Sequence, residues 1–105
     1  MNVLFICSRN RWRSLTAEKL FIGRPDLDVR SAGTAENARI KASSKLINWA
    51  DIIFVMEQKH QDILNERFSE FIQPKKVINL NIPDNYLYGD QELKELLEQA
   101  SEYLP

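Results

Sequence analysis

The sequence predicts an α/β domain, a three-layer sandwich with a four-stranded parallel sheet. Two observations carry that prediction. Short apolar runs at 2–6, 27–32, 51–56 and 77–80 alternate with segments of helical periodicity, and strands alternating with helices imply a parallel sheet covered on both faces. The 105 residues, 44% of them hydrophobic and 28% charged, suit one core, so residues 1–105 read as a single domain.

The elements follow in order. NVLFI at 2–6 is continuously apolar, as a strand buried on both faces should be. SLTAEKLFI at 14–22 carries Ala17, Leu20 and Phe21 at helical spacing. The residues between are therefore a strand-to-helix turn. LDVRSA at 27–32 reads as a second strand stopped by Gly33, residues 43–50 as a short helix, and DIIFVM at 51–56 as a third strand. Residues 58–71 place Ile63, Leu64, Phe68 and Phe71 on one helical face until Pro74 ends the segment. VINL at 77–80 is the fourth strand. From Asp90 a last amphipathic helix carries Leu93, Leu96, Leu97, Ala100 and Leu104. In an open parallel sheet ligands bind beyond the carboxyl ends of the strands, which puts the turn after residue 7 and the segment 81–90 on one rim.

Composition narrows the function. Net charge is −1, so no overall field favours nucleic acid or a membrane surface, and no apolar run approaches the ~18 residues of a membrane span. The N-terminus, MNVLFICSRN, has no basic lead-in and no small-residue cleavage site, so a cytoplasmic location is expected. Cys7 is the single cysteine, which rules out an internal disulfide and a multi-cysteine metal site; no metal and no cofactor is expected. Residues 1–17 contain Arg9, Arg11 and Arg13 and no acid. An anion is the expected ligand there.

The stretch CSRNRWRS spaces Cys7, five residues, Arg13 and Ser14. A loop curling from a strand into a helix can turn several backbone N–H groups inward, and the helix N-terminus adds partial positive charge, a cradle for phosphate. Ser8, Arg9, Asn10, Arg11 and Trp12 form that loop, and Asn10 tolerates the left-handed geometry such a loop needs. Arg13 can grip two phosphate oxygens as a planar fork. Cationic surroundings favour a thiolate on Cys7, a strong nucleophile, and Ser14 is placed to donate its hydroxyl to the sulfur. The predicted fold is thus completed by a phosphate-binding loop after the first strand.

With that loop, TAEKLF on the following helix, SAGT at 31–34, ADIIFVME at 50–57 and IPDNYLYGD at 82–90, the chain resembles the low-molecular-weight protein tyrosine phosphatase family. The resemblance implies a phosphomonoesterase acting through a phosphocysteine on a phosphotyrosine protein or small aryl phosphate, inhibited by phosphate or vanadate. It implies catalytic roles for Cys7, Arg13 and an aspartate that protonates the leaving oxygen and later activates water, a position that falls on Asp84. Asp84 also lies in a loop on the Cys7 rim, where an acid is needed; Asp90, equally readable as the N-cap of the last helix, is the rival. The resemblance further gives Tyr86 and Tyr88 as walls of the slot for a phenyl ring, and Ser31 as a support of the loop; the tyrosines read equally as partly buried loop residues, and Ser31 as ordinary turn chemistry before Gly33.

The chain departs from the family in three places. Thr34 runs almost directly to Glu36, Asn37, Ala38 and Arg39, where the family has a longer segment that helps select substrate. Asn85 replaces the proline after the catalytic aspartate, and Leu15 the proline after the loop serine. Related arsenate reductases relay oxidation to further cysteines, which a chain with Cys7 alone has no means to do. His60 reads as a solvated residue on the polar side of a helix, without companions for a metal site. Two other functions use the same loop: a phosphocysteine carrier, which does not need Asp84, and a non-catalytic phosphate-binding module.

Overall fold

β1 (Asn2–Cys7) is buried from Val3 to Cys7 because it lies in the middle of the sheet. The computed structural model describes residues 1–105, with strands in the order β2-β1-β3-β4, where β2 is Asp28–Gly33, β3 Ile52–Val55 and β4 Lys76–Asn79. Every pairing is parallel, with Phe5 opposite Ser31 on one side and Phe54 on the other.

Period-two alternation divides the strand side chains between two cores. Val3, Phe5, Val29, Ile52 and Phe54 face α1 (Arg13–Phe21) and α5 (Gln91–Leu97), joining Ala17, Phe21, Leu93 and Leu97. Phe5 stacks between Phe21 at 5.6 Å and Phe54 at 5.2 Å. Leu4, Ile6, Ala32, Ile53 and Val55 face α2 (Ser44–Trp49), α3 (Gln58–Arg67) and α4 (Ser69–Ile72), joining Ile47, Leu64 and Ile72.

Two helical expectations are corrected. The single helix expected over 58–71 is broken at Phe68, whose φ of −130° and ψ of 36° leave the helical region. The break turns the following residues, so Ile72 fills the core while Phe71 is 39% exposed. The last helix tightens after Leu97 into a 3-10 segment, Glu98–Tyr103, which keeps Ala100 buried and leaves Leu104 packed at the margin of the core.

β1 leads through α1 to β2 on one side, while β3 pairs on the other. The carboxyl ends of β1 and β3 therefore flank the crevice where the strand order reverses, the expected ligand position in such sheets. Cys7 ends β1, and Met56 and Glu57 follow β3.

Candidate active site

Residues 8–12 join β1 to α1 and wrap the end of Cys7. No side chain caps α1 at Trp12, so the first-turn N–H groups stay open to an anion. Asn10 takes the left-handed φ of 58°, which points its backbone N–H at Cys7 Sγ, 3.3 Å away. Its side-chain amide donates to Ser14 Oγ at 2.7 Å, and that hydroxyl lies 2.9 Å from Sγ. Ser14 accepts from Asn10, so its own proton is left for the sulfur at 2.9 Å or the more distant Ala32 carbonyl at 3.4 Å.

The segment after β2 braces this loop from outside. Thr34 and Ala35 N–H donate to the Cys7 and Ser8 carbonyls, Arg39 N–H to the Arg9 carbonyl, and Arg39 Nε to the Asn10 carbonyl. Gly33 makes the approach possible: a Cβ there would lie 2.3 Å from the Ser8 carbonyl oxygen and 3.0 Å from the Asn10 nitrogen. The shortened segment after Thr34 thus still supports the loop. The Ser31 hydroxyl donates to Glu18 Oε1 on α1 at 2.6 Å, not to a loop residue.

Arg13 is 2% exposed and is held from the far side of the crevice. Its Nη1 donates to Glu57 Oε1 at 2.5 Å and to the Ile82 carbonyl at 2.8 Å. Ile82 is fixed in turn because its N–H donates to the Met56 carbonyl. Glu57 is the N-cap of α3 and forms a capping box with His60: its carboxylate accepts the His60 backbone N–H, and its own N–H donates to His60 Nδ1 at 3.0 Å. Partial burial works to raise the Glu57 pKa, but the Arg13 hydrogen bond and charge, with Lys59 and His60, hold it below the usual carboxylate value.

His60 is a correction. It is fully buried, not solvated, because the capping box turns its ring back over the N-terminus of α3 toward the loop, and its Nε2 lies 2.9 Å from Ser8 Oγ. Burial, and after it the Arg13 cation, bring its pKa down from 6.5 to about 4, so the ring is neutral near pH 7. The signal in the sequence was the spacing Glu57-x-x-His60 behind an apolar strand, an N-cap acceptor with a second acceptor three residues on.

The opening is lined by Cys7, Ser8, Arg9, Arg11, Trp12, Arg13 and Asp84. Asp84 Oδ1 is 3.7 Å from Arg13 Nε. Asp90 is engaged elsewhere, its side chain accepting the Leu93 N–H at 3.1 Å as the N-cap of α5. Thr16, which sequence reasoning passed over, ties the two loops together: its hydroxyl donates to the Trp12 carbonyl at 2.6 Å and accepts the Gly89 N–H at 3.0 Å. Neither tyrosine lines the opening. Tyr86 is half-buried against the core, its pKa raised by burial and by Glu92 and Asp90. Tyr88, 51% exposed, lines a separate hollow with Thr16, Lys19 and Lys94. Trp12, 40% exposed, is the aromatic at the mouth.

No protein-family model matches the chain, and no curated protein matches it. Solved structures do. The tyrosine phosphatase Wzb of Escherichia coli K30, in complex with phosphate, matches with a TM-score of 0.76 at 27% identity over 97% of this chain and 94% of that one. The low molecular weight protein tyrosine phosphatase SP-PTP of Streptococcus pyogenes matches with a TM-score of 0.79 at 16% identity, over 99% and 93% of the two chains. The chain has the fold of the low-molecular-weight protein tyrosine phosphatases. A Cys-to-Ser variant of the arginine phosphatase YwlE, its active-site serine phosphorylated, has the same fold, with a TM-score of 0.76 at 24% identity over 99% and 95%. The family resemblance read from the sequence thus extends to a structural match over nearly the whole chain.

Proposed function

We propose that the protein is a cysteine-dependent phosphomonoesterase that works through a phosphocysteine, with aryl phosphates such as phosphotyrosine as substrates. The observation that carries this is the convergence of Cys7, Arg13 and Asp84 on one opening, with the sulfur already hydrogen-bonded by Asn10 and Ser14. The Wzb and SP-PTP structures support the tyrosine-phosphatase reading, and the phosphorylated YwlE variant supports a covalent intermediate at the loop residue.

In the first step the Cys7 thiolate attacks phosphorus. The S–P bond forms as the P–O bond to the leaving group breaks, and the protonated Asp84 carboxyl gives its proton to the departing oxygen. Arg13 and the loop N–H groups hold the equatorial oxygens, where charge resides throughout. In the second step a water attacks the phosphocysteine and passes a proton to the Asp84 carboxylate. The S–P bond breaks, phosphate leaves, and Ser14 receives the sulfur as a hydrogen-bonded thiolate.

Trp12 supplies an apolar face beside the opening for the ring of an aryl phosphate. Phosphate and vanadate should compete for the same cradle. A reducing cytoplasm suits a lone catalytic thiol, and no helix is long and apolar enough to cross a membrane.

The deciding experiment is steady-state hydrolysis of an aryl phosphate by wild type and Cys7→Ser with EDTA present. Loss of all turnover in a folded Cys7→Ser that still binds phosphate supports the enzyme. Absence of turnover in folded wild type that binds phosphate would move the reading to a carrier or a phosphate-binding module.

A further inference from the structure

The capping box of α3 meets the phosphate loop at both ends, at Ser8 through His60 and at Arg13 through Glu57, and the steps above make no use of its histidine. A capping box needs from its third helical residue only an acceptor for the N-cap N–H, which Glu or Gln ordinarily provides. Histidine adds a second nitrogen on the opposite edge of a rigid ring. His60 Nδ1 accepts the Glu57 N–H at 3.0 Å, so the ring proton of the neutral form sits on Nε2. That Nε2–H faces Ser8 Oγ at 2.9 Å and donates to it. A hydroxyl that accepts on one side keeps its own proton for another partner, and Ser8 lines the opening beside Cys7.

We infer that His60 is a positioning residue: by donating to Ser8 Oγ it makes the Ser8 hydroxyl a fixed donor to a phosphoryl oxygen bound over Cys7. The inference rests on the phosphate-site reading above, and it deepens that reading by assigning a loop donor and the residue that aims it. It explains why the one histidine of the chain is fully buried behind the loop, and why the residue after Cys7 carries a hydroxyl.

The test uses the full chain and two readouts, the dissociation constant of inorganic phosphate and kcat/KM for an aryl phosphate. The variants are Ser8→Ala, His60→Asn, His60→Gln and Ser8→Ala/His60→Asn. Asparagine places its amide oxygen near the Nδ1 position and keeps the cap acceptor, whereas glutamine places an amide N–H near Nε2. Ser8→Ala and His60→Asn should each weaken phosphate binding about tenfold, the scale of one lost hydrogen bond to a charged group. His60→Gln should recover most of that loss, and the double variant should lose no more than the worse single one. Wild-type phosphate affinity in folded Ser8→Ala overturns the inference, as do losses in His60→Asn and Ser8→Ala that multiply in the double variant. If wild type binds phosphate without hydrolysing the ester, the enzyme reading fails while the binding data still decide the role of His60.

Discussion

Asp84 Oδ1 lies 3.7 Å from Arg13 Nε at the mouth of the site, whereas Asp90 spends its carboxylate on the N–H of Leu93. The two acidic candidates are separated by what they already bond. Asp84→Asn should lower kcat by about 10²- to 10⁴-fold, the usual worth of general acid–base help, with phosphate affinity nearly kept. Asp90→Ala should leave a folded enzyme active and cost about 1 kcal/mol of stability through the lost cap. Steady-state kinetics and urea melts on the pair check both. A full loss of kcat in Asp90→Ala with an unchanged Asp84→Asn would reverse the assignment.

Arg9 and Arg11 line the opening but enter none of the protein's ion pairs. Exposed, unpaired cations on a rim act on encounter and ground-state binding more than on chemistry. Arg11→Ala is expected to raise KM for an aryl phosphate about 2- to 5-fold at low salt, the range of exposed charge pairs, with kcat changed less. Added salt should shrink the difference between variant and wild type. A difference that salt leaves untouched would mean that Arg11 works by shape or hydrogen bonding. The same rim cations should disfavour a leaving group that is itself a guanidinium, so phosphotyrosine is expected to outcompete phosphoarginine as substrate.

The strands were legible because buried parallel strands are nearly all apolar, and IIFV at Ile52–Val55 and VLFI within Asn2–Cys7 have little other use. The candidate anion loop was legible for a local reason: Cys7, Asn10, Arg13 and Ser14 lie within one short stretch of chain between β1 and α1. Contacts that depend on what folds against the loop were hidden. Polar neighbours made His60 look like a solvated helix position, yet a capping box points it inward. Phe71 kept the helical spacing, and the break at Phe68 handed its place to Ile72. Tyr88 follows the acid loop in sequence, but the anchoring of Gly89 on Thr16 leaves it lining the hollow beside α1.

Gly33 carries a further prediction. A methyl group there would lie 2.3 Å from the Ser8 carbonyl oxygen, and backbone cannot swing aside as a side chain can. Gly33→Ala should push the loop outward, costing about 1–3 kcal/mol as overpacking does and weakening phosphate binding together with stability. Calorimetric melting with and without phosphate measures both. Wild-type phosphate affinity in this variant would show that the close approach of β2 is not what shapes the cradle.

The capping box also sets how the fold responds to acid. His60 is held down to about 4 from 6.5, by burial first and the Arg13 cation second, with Lys59 adding to the shift and Glu57 and Asp84 opposing it. Between those two values the unfolded chain binds a proton that the folded chain refuses, so stability rises with pH across that window. The contribution, at most about 3 kcal/mol, is fully present above the unfolded value and is lost as pH falls toward the folded one. Glu57 works in the same direction at lower pH, because its folded pKa is depressed and its stabilising share disappears as it takes up a proton. Protonated His60 also has no lone pair at Nδ1 for the Glu57 N–H, so the capping box itself comes apart. The urea midpoint of wild type should therefore drop steeply from about pH 7 to about pH 5, while His60→Asn, which cannot titrate there, should show a flatter profile. Parallel profiles would place the acid sensitivity in other groups and leave His60 without a role in it.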